Sequence, residues 1–535
     1  MLAAEEYEST HAARGIVAAP HHLAAAAGQE VLAEGGNAIE AMIAAAAAIA
    51  VVYPHMNHVG GDGFWLIREP SGRVRYIEAC GFAGSLATIS RYHDLGFETI
   101  PTRGPNAAVT VPGAVGGWAL AHDAARSHGG RMTLRRLLEP AIRFAREGVA
   151  VTRSQTRLTR EKRAELEGAP GFAEVFLPGG AVPEEGSLQR QPRLADTLDH
   201  LASAGLADFY RGDVAREMAT DLERIGSPVT RADLARYTAR ERPPLEMKIG
   251  RARLFNAPPP TQGLASLLIL GLFDQLNVAR AETFEHIHGL VEATKRAFIV
   301  RQQVVCDPEH LPHDPASFLT PDALARRAAK IDMQRALPWP HEAKPGDTIW
   351  MGAADSSGLA VSYIQSIYFE FGSGCVLPST GVLMQNRGSS FVLDPKSLNP
   401  LMPGRRPFHT LNPALAELAD GRILAYGTMG GEGQPQTQAA VFSRHALFGV
   451  PLGEAIARPR WLLGRTWGDQ ETNLKLEARF DGNLVDRLLS AGHELVVLPE
   501  DYSDTMGHAG GVVIHPGGQL EGAHDPRADG GAAGV

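Results

Sequence analysis

Hydrophobic residues in the first third of the chain recur mainly with a helical period. Helices are predicted at 22–36, where a Gly-Gly pair ends the pattern, and at 38–52, 114–128 and 133–148. An alternating, strand-like pattern covers 64–79 and is interrupted by a Pro-Ser-Gly turn. These segments predict helices and strands in the same layered unit.

The middle of the chain is predicted to be largely helical. Residues 150–255 combine charged faces with apolar stripes, and a helical pattern returns over 262–301. Between them, 256–266 (NAPPPTQGLAS) holds three consecutive prolines, which can enter neither a helix interior nor a central strand. We expect this stretch to be a rigid loop.

From residue 348 the pattern changes to short alternating runs. Residues 348–366 form two such runs around an Asp-Ser-Ser-Gly turn, which predicts a β-hairpin, and 421–431 predicts a strand that ends in a glycine turn. A helix is predicted at 436–449, and two further strands are predicted at 474–480 and 493–500 with another helix between them. The change of composition near 340–347 indicates a boundary. Together the two halves predict an α/β (α+β) fold whose sheets are covered by helices.

Composition narrows the class of protein. The 535 residues are 44% hydrophobic and 21% charged, as in globular proteins with a large core. The net charge of −9 argues against a nucleic-acid partner. Because the most apolar stretch, 41–54, is too short to cross a bilayer and the first residues lack a signal-like hydrophobic run, we expect a cytoplasmic protein without a membrane partner. Cys80, Cys306 and Cys375 lack metal-ligand spacing and indicate neither a disulfide framework nor a zinc site.

Thr348 follows a Pro-Gly-Asp turn and begins a predicted strand. A threonine hydroxyl is a poor nucleophile until a base takes its proton. Its own α-amine has a suitable pKa of about 7.7–8.0, but exists only after the Asp347–Thr348 bond is cut. A turn at Gly346-Asp347 could hold that peptide open to attack by the hydroxyl. On the local sequence alone, a plain β-branched strand residue is the simpler alternative.

Two other motifs could line a site. The glycines of 427–436 (GTMGGEGQPQ) could present backbone N–H groups to an oxyanion, and a plain strand-to-helix turn is an equally good interpretation. A phosphate loop is disfavoured because the motif lacks a lysine and contains Glu432. The pair His409-Thr410 could line a polar pocket, although a lone histidine is more often structural.

Taken in order, these motifs resemble the γ-glutamyltranspeptidase family of N-terminal-nucleophile hydrolases. The resemblance covers nearly the whole chain, and several of the shared motifs are long and specific. They are GIVAAPHHLAAAAGQEVLAEGGNAIEA (15–41), VGGDGFWLI (59–67), VPGAVGGW (111–118), APPPTQG (257–263), DTIWMGAADSSGLAVSYIQS (347–366), RPFHTLNP (406–413), GTMGGEGQPQ (427–436) and EGAHDPRADGGAAG (521–534).

The resemblance implies a four-layer αββα sandwich made from an inactive precursor. Cleavage before Thr348 would leave fragments 1–347 and 348–535, of about 37 and 20 kDa by their shares of the 57.2 kDa chain, intertwined as a heterodimer in one domain. A dimer of such heterodimers is left open. The resemblance assigns nucleophile and base to Thr348 and the oxyanion N–H groups to Gly430 and Gly431. It implies no metal and no organic cofactor.

The positions that bind the substrate depart from those of true transpeptidases. Ile77 replaces the arginine that holds the glutamyl α-carboxylate, and Ser390 replaces the acid that holds the amine. His409 and Thr410 replace two adjacent serines, and Ser366 roughly replaces an asparagine. An apolar side chain cannot bind a carboxylate as arginine does, so both ends of amino-acid recognition are lost.

The chain is more similar to the oxamate amidohydrolase-like and cephalosporin acylase-like branch of the family. That resemblance implies a Thr-dependent amidohydrolase that cleaves a C–N bond of a small non-peptide amide through an acyl-enzyme. The candidate substrate-binding residues are His409, Thr410, Ser366, Gln365, Arg387 and Ser390. The cation for a substrate carboxylate could be His409, Arg387 or Arg75. Two alternatives stay open, a γ-glutamyl hydrolase or transferase with an altered pocket and an uncleaved binding protein.

Overall fold

The computed structural model describes residues 8–339, 347–464 and 472–535. In these residues two seven-stranded antiparallel sheets lie face to face, and helices cover both outer faces. The four-layer αββα arrangement implied by the resemblance is confirmed. None of the described helices is long and apolar enough to cross a membrane.

The strands of the described residues alternate with helices along most of the chain. The strands are β1 Thr10–Ala12, β2 Gly15–Ala19, β3 Asp62–Arg68, β4 Val74–Ala79, β5 Val149–Ala150, β6 Leu188–Gln189, β7 Arg240–Arg242, β8 Leu245–Ile249, β9 Ala252–Asn256, β10 Asp347–Asp355, β11 Ala360–Tyr368, β12 Ala414–Leu418, β13 Ile423–Thr428, β14 Trp461–Leu463, β15 Leu474–Leu476, β16 Leu495–Val497, β17 Ala509–Ile514, β18 Leu520–His524 and β19 Gly531–Gly534.

Most helices contribute to one of two hydrophobic cores, one on each outer face. The described helices are α1 His22–Ala33, α2 Ala38–Val52, α3 Ile89–Asp94, α4 Ala114–Arg126, α5 Leu134–Glu147, α6 Arg153–Leu166, α7 Phe172–Phe176, α8 Pro192–Ala204, α9 Asp208–Arg211, α10 Asp213–Ile225, α11 Arg231–Arg236, α12 Gly263–Asp274, α13 Phe284–Val304, α14 Pro321–Ala328, α15 Gln434–Phe442, α16 Leu452–Ala457 and α17 Gly482–Ser490.

Segments from both sides of Thr348 interleave in each large sheet. One sheet has the strand order β1-β18-β17-β13-β12-β9-β8, and the other has the order β19-β2-β10-β11-β3-β4-β7. Strand β10 therefore pairs with β2 on one side and with β11 on the other, and β11 pairs with β3. Hydrogen bonds between neighbouring strands join the part of the chain before Thr348 to the part after it.

Helix α2 is buried along its whole length and packs against β10 and β11. A capping box begins it, because Asn37 accepts from the Glu40 N–H and Glu40 accepts from the Asn37 N–H. Its run of alanines allows the helix to lie close to the sheet. On the opposite outer face, α12, α13 and α15 surround a second hydrophobic core.

Trp350 lies between the two sheets, on the face of β10 that points away from α2. A Cβ atom placed on Gly427 would lie 2.2 Å from Trp350 Cδ1, and one on Gly510 would lie 2.5 Å from Trp350 Cζ3. The indole Nε1 donates to Ser362 Oγ at 2.9 Å. The indole thus fits into space that these two glycines leave open in β13 and β17, so β10 lies directly against the strand that leads into the Gly430 loop.

Most sequence-predicted elements are confirmed, and one region needs correction. The four early helices correspond to α1, α2, α4 and α5, and 348–366 forms the β10–β11 hairpin. The largely helical prediction for 150–255 is wrong at its end, where 240–256 contains β7, β8 and β9. The short alternation Leu-Glu-Met-Lys-Ile was the signal for β8, since period two indicates a half-buried strand.

Replacing Gly510 by alanine is expected to destabilise the protein. The added methyl group would overlap the Trp350 ring, and overpacking of this kind costs about 1–3 kcal/mol. The measurement is the midpoint of thermal unfolding. Gly517→Ala is the matched control, because its added Cβ would have no atom within 4 Å. Equal midpoints for the two variants would contradict the packing described for Trp350.

Candidate active site

Thr348 is fully buried near the start of β10, opposite an irregularity in the pairing with β11. Asp347 pairs with Tyr368 and Ile349 pairs with Gln365, so that Ser366 and Ile367 both lie opposite Thr348. Such bulges re-aim side chains and are frequent beside active sites. Gln434 Nε2 donates to Thr348 Oγ1 at 3.2 Å.

The loop after β13 meets Thr348 through that glutamine. Gly430 and Gly431 both have positive φ angles, 114° and 52°, in a region of backbone space that favours glycine. Neither N–H group donates to an acceptor within the described ranges. Helix α15 begins at Gln434, so its positive dipole end also lies beside Thr348. Backbone donors without acceptors near a hydroxyl are the arrangement that an oxyanion site needs.

Side-chain amides connect the residues around Thr348. Gln434 Oε1 accepts from the Asn412 backbone N at 3.2 Å and from Asn412 Nδ2 at 3.1 Å. Asn412 Nδ2 also donates to the Thr410 carbonyl at 2.9 Å. Gln262 Nε2 donates to the Thr410 and Gly431 carbonyls, at 2.7 and 2.8 Å. The network fixes the Gly430 loop, Thr410 and Gln434 relative to one another.

A buried ion pair between Arg301 and Glu432 holds the same loop in place. Arg301, on α13, donates to Gln262 Oε1 at 2.8 Å and to Glu432 Oε2 at 2.7 Å. Its guanidinium carbon also lies 4.0 Å from the centre of the Phe298 ring. Arg301 is therefore engaged by an acid and an amide, and its charge is compensated.

Arg387 is fully buried at the start of the short 3-10 turn Arg387–Ser390, between β11 and β12, and its charge has no acidic partner at contact distance in the described part of the chain. Both terminal nitrogens donate to Thr410 Oγ1, each at 3.2 Å, and the guanidinium carbon lies 3.7 Å from the centre of the Tyr368 ring. Burial lowers the pKa of Arg387 to about 10, so it remains a cation at neutral pH. A buried cation is costly unless an anion compensates it.

His409 is also buried but is neutral at pH 7. Burial, together with the charge of Arg387, lowers the pKa of His409 to about 4, although the nearby Asp62 opposes this change. His409 Nε2 lies 3.1 Å from Asp62 Oδ2 without the alignment of a hydrogen bond. Asp62 Oδ1 accepts from the Gly81 and Gly113 N–H groups, both at 3.0 Å.

Arg75 lies away from this cluster on β4. It forms ion pairs with Glu69 and Glu241, and the distance from its NH1 to Glu241 Oε2 is 3.0 Å. Two acids therefore compensate its charge. Of the three cations predicted from the sequence, Arg387 is the charged one that forms no ion pair at contact distance among the residues described, although the buried Asp62 acts on it from farther away.

The structure brings some of the predicted substrate-binding residues to Thr348 and leaves others apart. Ser366 lies opposite Thr348, and its Oγ accepts from the Tyr368 N–H at 2.7 Å. Ser390 donates to the Phe408 carbonyl at 3.1 Å and lines a separate cavity of about 210 Å³. Gln365 points to the opposite face of the sheet, toward α2.

The amide of Gln365 is already engaged there. It donates to Asn57 Oδ1 at 2.7 Å and accepts from Trp118 Nε1 at 3.2 Å. The backbone of Asp347 belongs to β10, whereas its side chain and Gly346, the other residue of the expected turn, lie outside the described residues.

A cavity of about 500 Å³ opens beside Tyr368, the ring that covers Arg387. Its walls also include Phe369, Phe391, Thr99 and Ser389. Tyr368 has φ 83°, which turns the backbone sharply at the end of β11. A small molecule in this cavity would lie against the same ring that contacts Arg387.

Gln434, Asn412, Gln262 and Asp62 each lie in one of the motifs that carry the family resemblance, yet none of them is among the site residues predicted from the sequence. Each has a polar side chain inside a glycine- or proline-rich motif, which is the signal that could have identified it. Their partners are distant in sequence, since Gln262 and Thr410 are 148 residues apart.

One group of described residues, His288, Glu292 and His493, brings together potential metal ligands away from Thr348. His288 Nδ1 and His493 Nε2 are hydrogen-bonded to each other at 2.8 Å, and Glu292 accepts from Lys295 at 2.7 Å. A cation could bind only by breaking these bonds beside a lysine ammonium group.

Comparison with known proteins gives one consistent result. The Gamma-glutamyltranspeptidase family model matches residues 24–535. The oxamate amidohydrolase proenzyme of Klebsiella pneumoniae is 54% identical over 98% of this chain and 99% of its own length. The glutathione hydrolase-like YwrD proenzyme of Bacillus subtilis is 38% identical over 97% of this chain and 98% of its own length. In fold, the chain is similar to the cephalosporin acylase from Bacillus halodurans, with a TM-score of 0.89 and 31% identity over 99% of this chain and 97% of that one.

Proposed function

This chain is an enzyme of the gamma-glutamyltranspeptidase family, and we propose that it is an autoprocessed amidohydrolase with Thr348 as its nucleophile. The observation that carries the proposal is the buried Thr348 hydroxyl, which accepts a hydrogen bond from Gln434, the residue that follows the turn of Gly430 and Gly431 and begins α15. The proenzyme names of the relatives support a maturation step.

Maturation would begin at the Asp347–Thr348 bond. Thr348 Oγ attacks the Asp347 carbonyl carbon, the C–N bond breaks, and the nitrogen takes the proton that the hydroxyl gives up. Water then hydrolyses the resulting ester, leaving Asp347 with a carboxylate and Thr348 with a free α-amine. That amine becomes the base for turnover, because its pKa of about 7.7–8.0 suits proton transfer near neutral pH.

Turnover repeats the same chemistry on a separate amide. The α-amine takes the Thr348 proton as Oγ attacks the substrate carbonyl, and the oxyanion accepts hydrogen bonds from Gly430 and Gly431. The C–N bond breaks, and the leaving amine takes the proton. Water hydrolyses the acyl-threonine and restores the hydroxyl.

Thr348→Ala is expected to abolish both processing and turnover, because it removes the only atom that forms the ester. A denaturing gel should show one band near 57 kDa instead of two near 37 and 20 kDa. N-terminal sequencing of the smaller wild-type fragment should give Thr-Ile-Trp-Met. Processing that survives the substitution, or a wild-type protein that is active as a single uncut chain, would overturn the assignment. A wild-type chain that is uncut and inactive would instead favour a non-catalytic binding protein.

The proposed substrate is a small amide with a carboxylate next to its carbonyl group, as in oxamate. Arg387 supports this choice, since a substrate carboxylate would compensate a buried cation that Thr410 and Tyr368 hold but do not neutralise. The Arg387 turn is joined to Thr348 through Tyr368, which pairs with Asp347. This connection supports the proposal that one short acid contacts both Arg387 and Thr348.

Arg387→Met is expected to lower kcat/KM for oxamate by about 30- to 4,000-fold, because truncating one member of a buried charge pair costs about 2–5 kcal/mol. Turnover of a neutral amide of similar size, such as acetamide, should change much less. Arg75→Met is the matched control, since Arg75 is neutralised by Glu69 and Glu241. Equal losses on both substrates, or a larger loss in the Arg75 variant, would contradict the role of Arg387.

The glutathione hydrolase-like relative favours γ-glutamyl transfer or hydrolysis as a second candidate function. A γ-glutamyl group carries both an ammonium and a carboxylate. The positions implied to bind them are occupied by Ser390 and by Ile77, which is a buried strand residue in β4. Neither side chain can compensate a charge.

Processed protein is expected to hydrolyse oxamate faster than γ-glutamyl-p-nitroanilide. The rates should be compared at equal enzyme concentration, with and without an added dipeptide as acyl acceptor. Faster turnover of the γ-glutamyl compound, or strong stimulation by the dipeptide, would favour the second function. A heterodimer of the two fragments in one domain and a cytoplasmic location stay predictions, and a dimer of these heterodimers stays open.

A further inference from the structure

The orientation of the Gln434 side chain is fixed by its neighbours. Its Oε1 accepts from two donors of Asn412, the backbone N–H and Nδ2. Asn412 is fixed in turn, because its Oδ1 accepts from Ser266 Oγ at 2.8 Å and its Nδ2 donates to the Thr410 carbonyl. A flipped Gln434 amide would place Nε2 against two N–H groups. The nitrogen must therefore face Thr348 Oγ1.

We infer that Gln434 is a catalytic residue whose Nε2–H donates to the nucleophilic oxygen throughout processing and turnover. The inference rests on the proposed role of Thr348 as nucleophile. Because one lone pair of Oγ1 accepts from Gln434, the hydroxyl hydrogen is directed to a different acceptor. The threonine is thus oriented to give its proton to the base and not to Gln434.

The donor has a second effect when the ester bond to Oγ1 breaks. In the hydrolysis of either ester, water adds to the acyl carbon, the C–Oγ1 bond breaks, and Oγ1 takes a proton as the free acid leaves. Negative charge develops on Oγ1 during this step. A fixed N–H donor stabilises that charge, and hydrogen bonds to charged groups contribute about 1.5–3 kcal/mol.

Gln434→Leu and Gln434→Glu separate this role from packing. Leucine has a similar size but no donor, so kcat and the processing rate should fall about 10–100-fold at every pH, while KM for oxamate changes little. A protonated glutamic acid can still accept from Asn412 and donate to Thr348, whereas the carboxylate can only accept. The rate of the Gln434→Glu variant relative to wild type should therefore fall as the pH rises from 5 to 9.

Gln436→Glu is the matched control. Gln436 lies on the same helix, is fully buried, and exchanges hydrogen bonds with the backbone of Leu463 at 2.8 and 3.0 Å without contacting Thr348. Introducing a carboxyl group there tests the cost of a buried acid in α15. Its rate relative to wild type should not fall in parallel with that of Gln434→Glu.

The quantity to be measured depends on whether a variant is isolated as two fragments or as one uncut chain. If it is already processed, kcat and KM are measured across the pH range, and if it is uncut, the conversion to two bands is followed on gels. The inference is overturned if Gln434→Leu matches wild type, or if the Gln434→Glu ratio does not change with pH or changes as in the control. Should the leucine variant be insoluble, the pH series of Gln434→Glu decides alone. Processing of Thr348→Ala would instead refute the nucleophile itself.

Discussion

The close approach of the two sheets at Trp350 is the constraint on which the rest of the site depends. The indole occupies space that exists only because Gly427 and Gly510 lack side chains. This contact sets β10 against β13, and β13 runs directly into the loop of Gly430 and Gly431. Gly430 and Gly431 lie 82 and 83 residues after Thr348 in the sequence. Packing between β10 and β13, which are not hydrogen-bonded to each other, therefore brings the loop of these glycines to Thr348.

The buried polar groups around Thr348 are of two kinds. Some have their charge and hydrogen bonds satisfied by neighbouring side chains, and others do not. Arg301 has Glu432 and Gln262, and Asn412 uses both ends of its amide. Fully satisfied buried groups hold one arrangement rigidly, because any change would leave a donor or acceptor unpaired. Arg387 differs, since a hydroxyl and an aromatic ring orient it without cancelling its charge. A bound carboxylate would complete this arrangement, which is why we propose that Arg387 takes part in substrate recognition.

The sequence predicted those parts of the fold whose signal is local. The β10–β11 hairpin follows from alternation about a turn, and α2 follows from a capped, apolar run. The strands at 240–256 were missed because each has only three to five residues, beside a long helical stretch. In the site, motif chemistry indicated Thr348 and the glycine loop only as candidates, and the family resemblance implied their roles. Their functional assignments remain proposals.

Which cation is uncompensated could not be read from the sequence, because it depends on burial and on partners far along the chain. Burial lowers the pKa of His409, so this side chain is uncharged. Arg75, on β4, forms ion pairs with Glu69 and with Glu241, which is 166 residues away in the sequence. The proposed role of Gln434 could likewise not be read from the sequence. Its contact with Thr348 spans 86 residues, and the orientation of its amide follows from the further contact of Asn412 with Ser266.

A cut before Thr348 would fall inside a sheet, yet the fold can hold both products together. Strand β10 would keep its pairing to β2, and β11 would keep its pairing to β3, so the fragment that begins at Thr348 stays bound on both sides. The bulge that places Ser366 and Ile367 opposite Thr348 interrupts the regular β10–β11 pairing only at the proposed cleavage site. In the proposed mechanism, the Asp347 carbonyl would be the first acyl group that Thr348 attacks. The acyl group of each later substrate would take the position opposite Tyr368 that this carbonyl leaves.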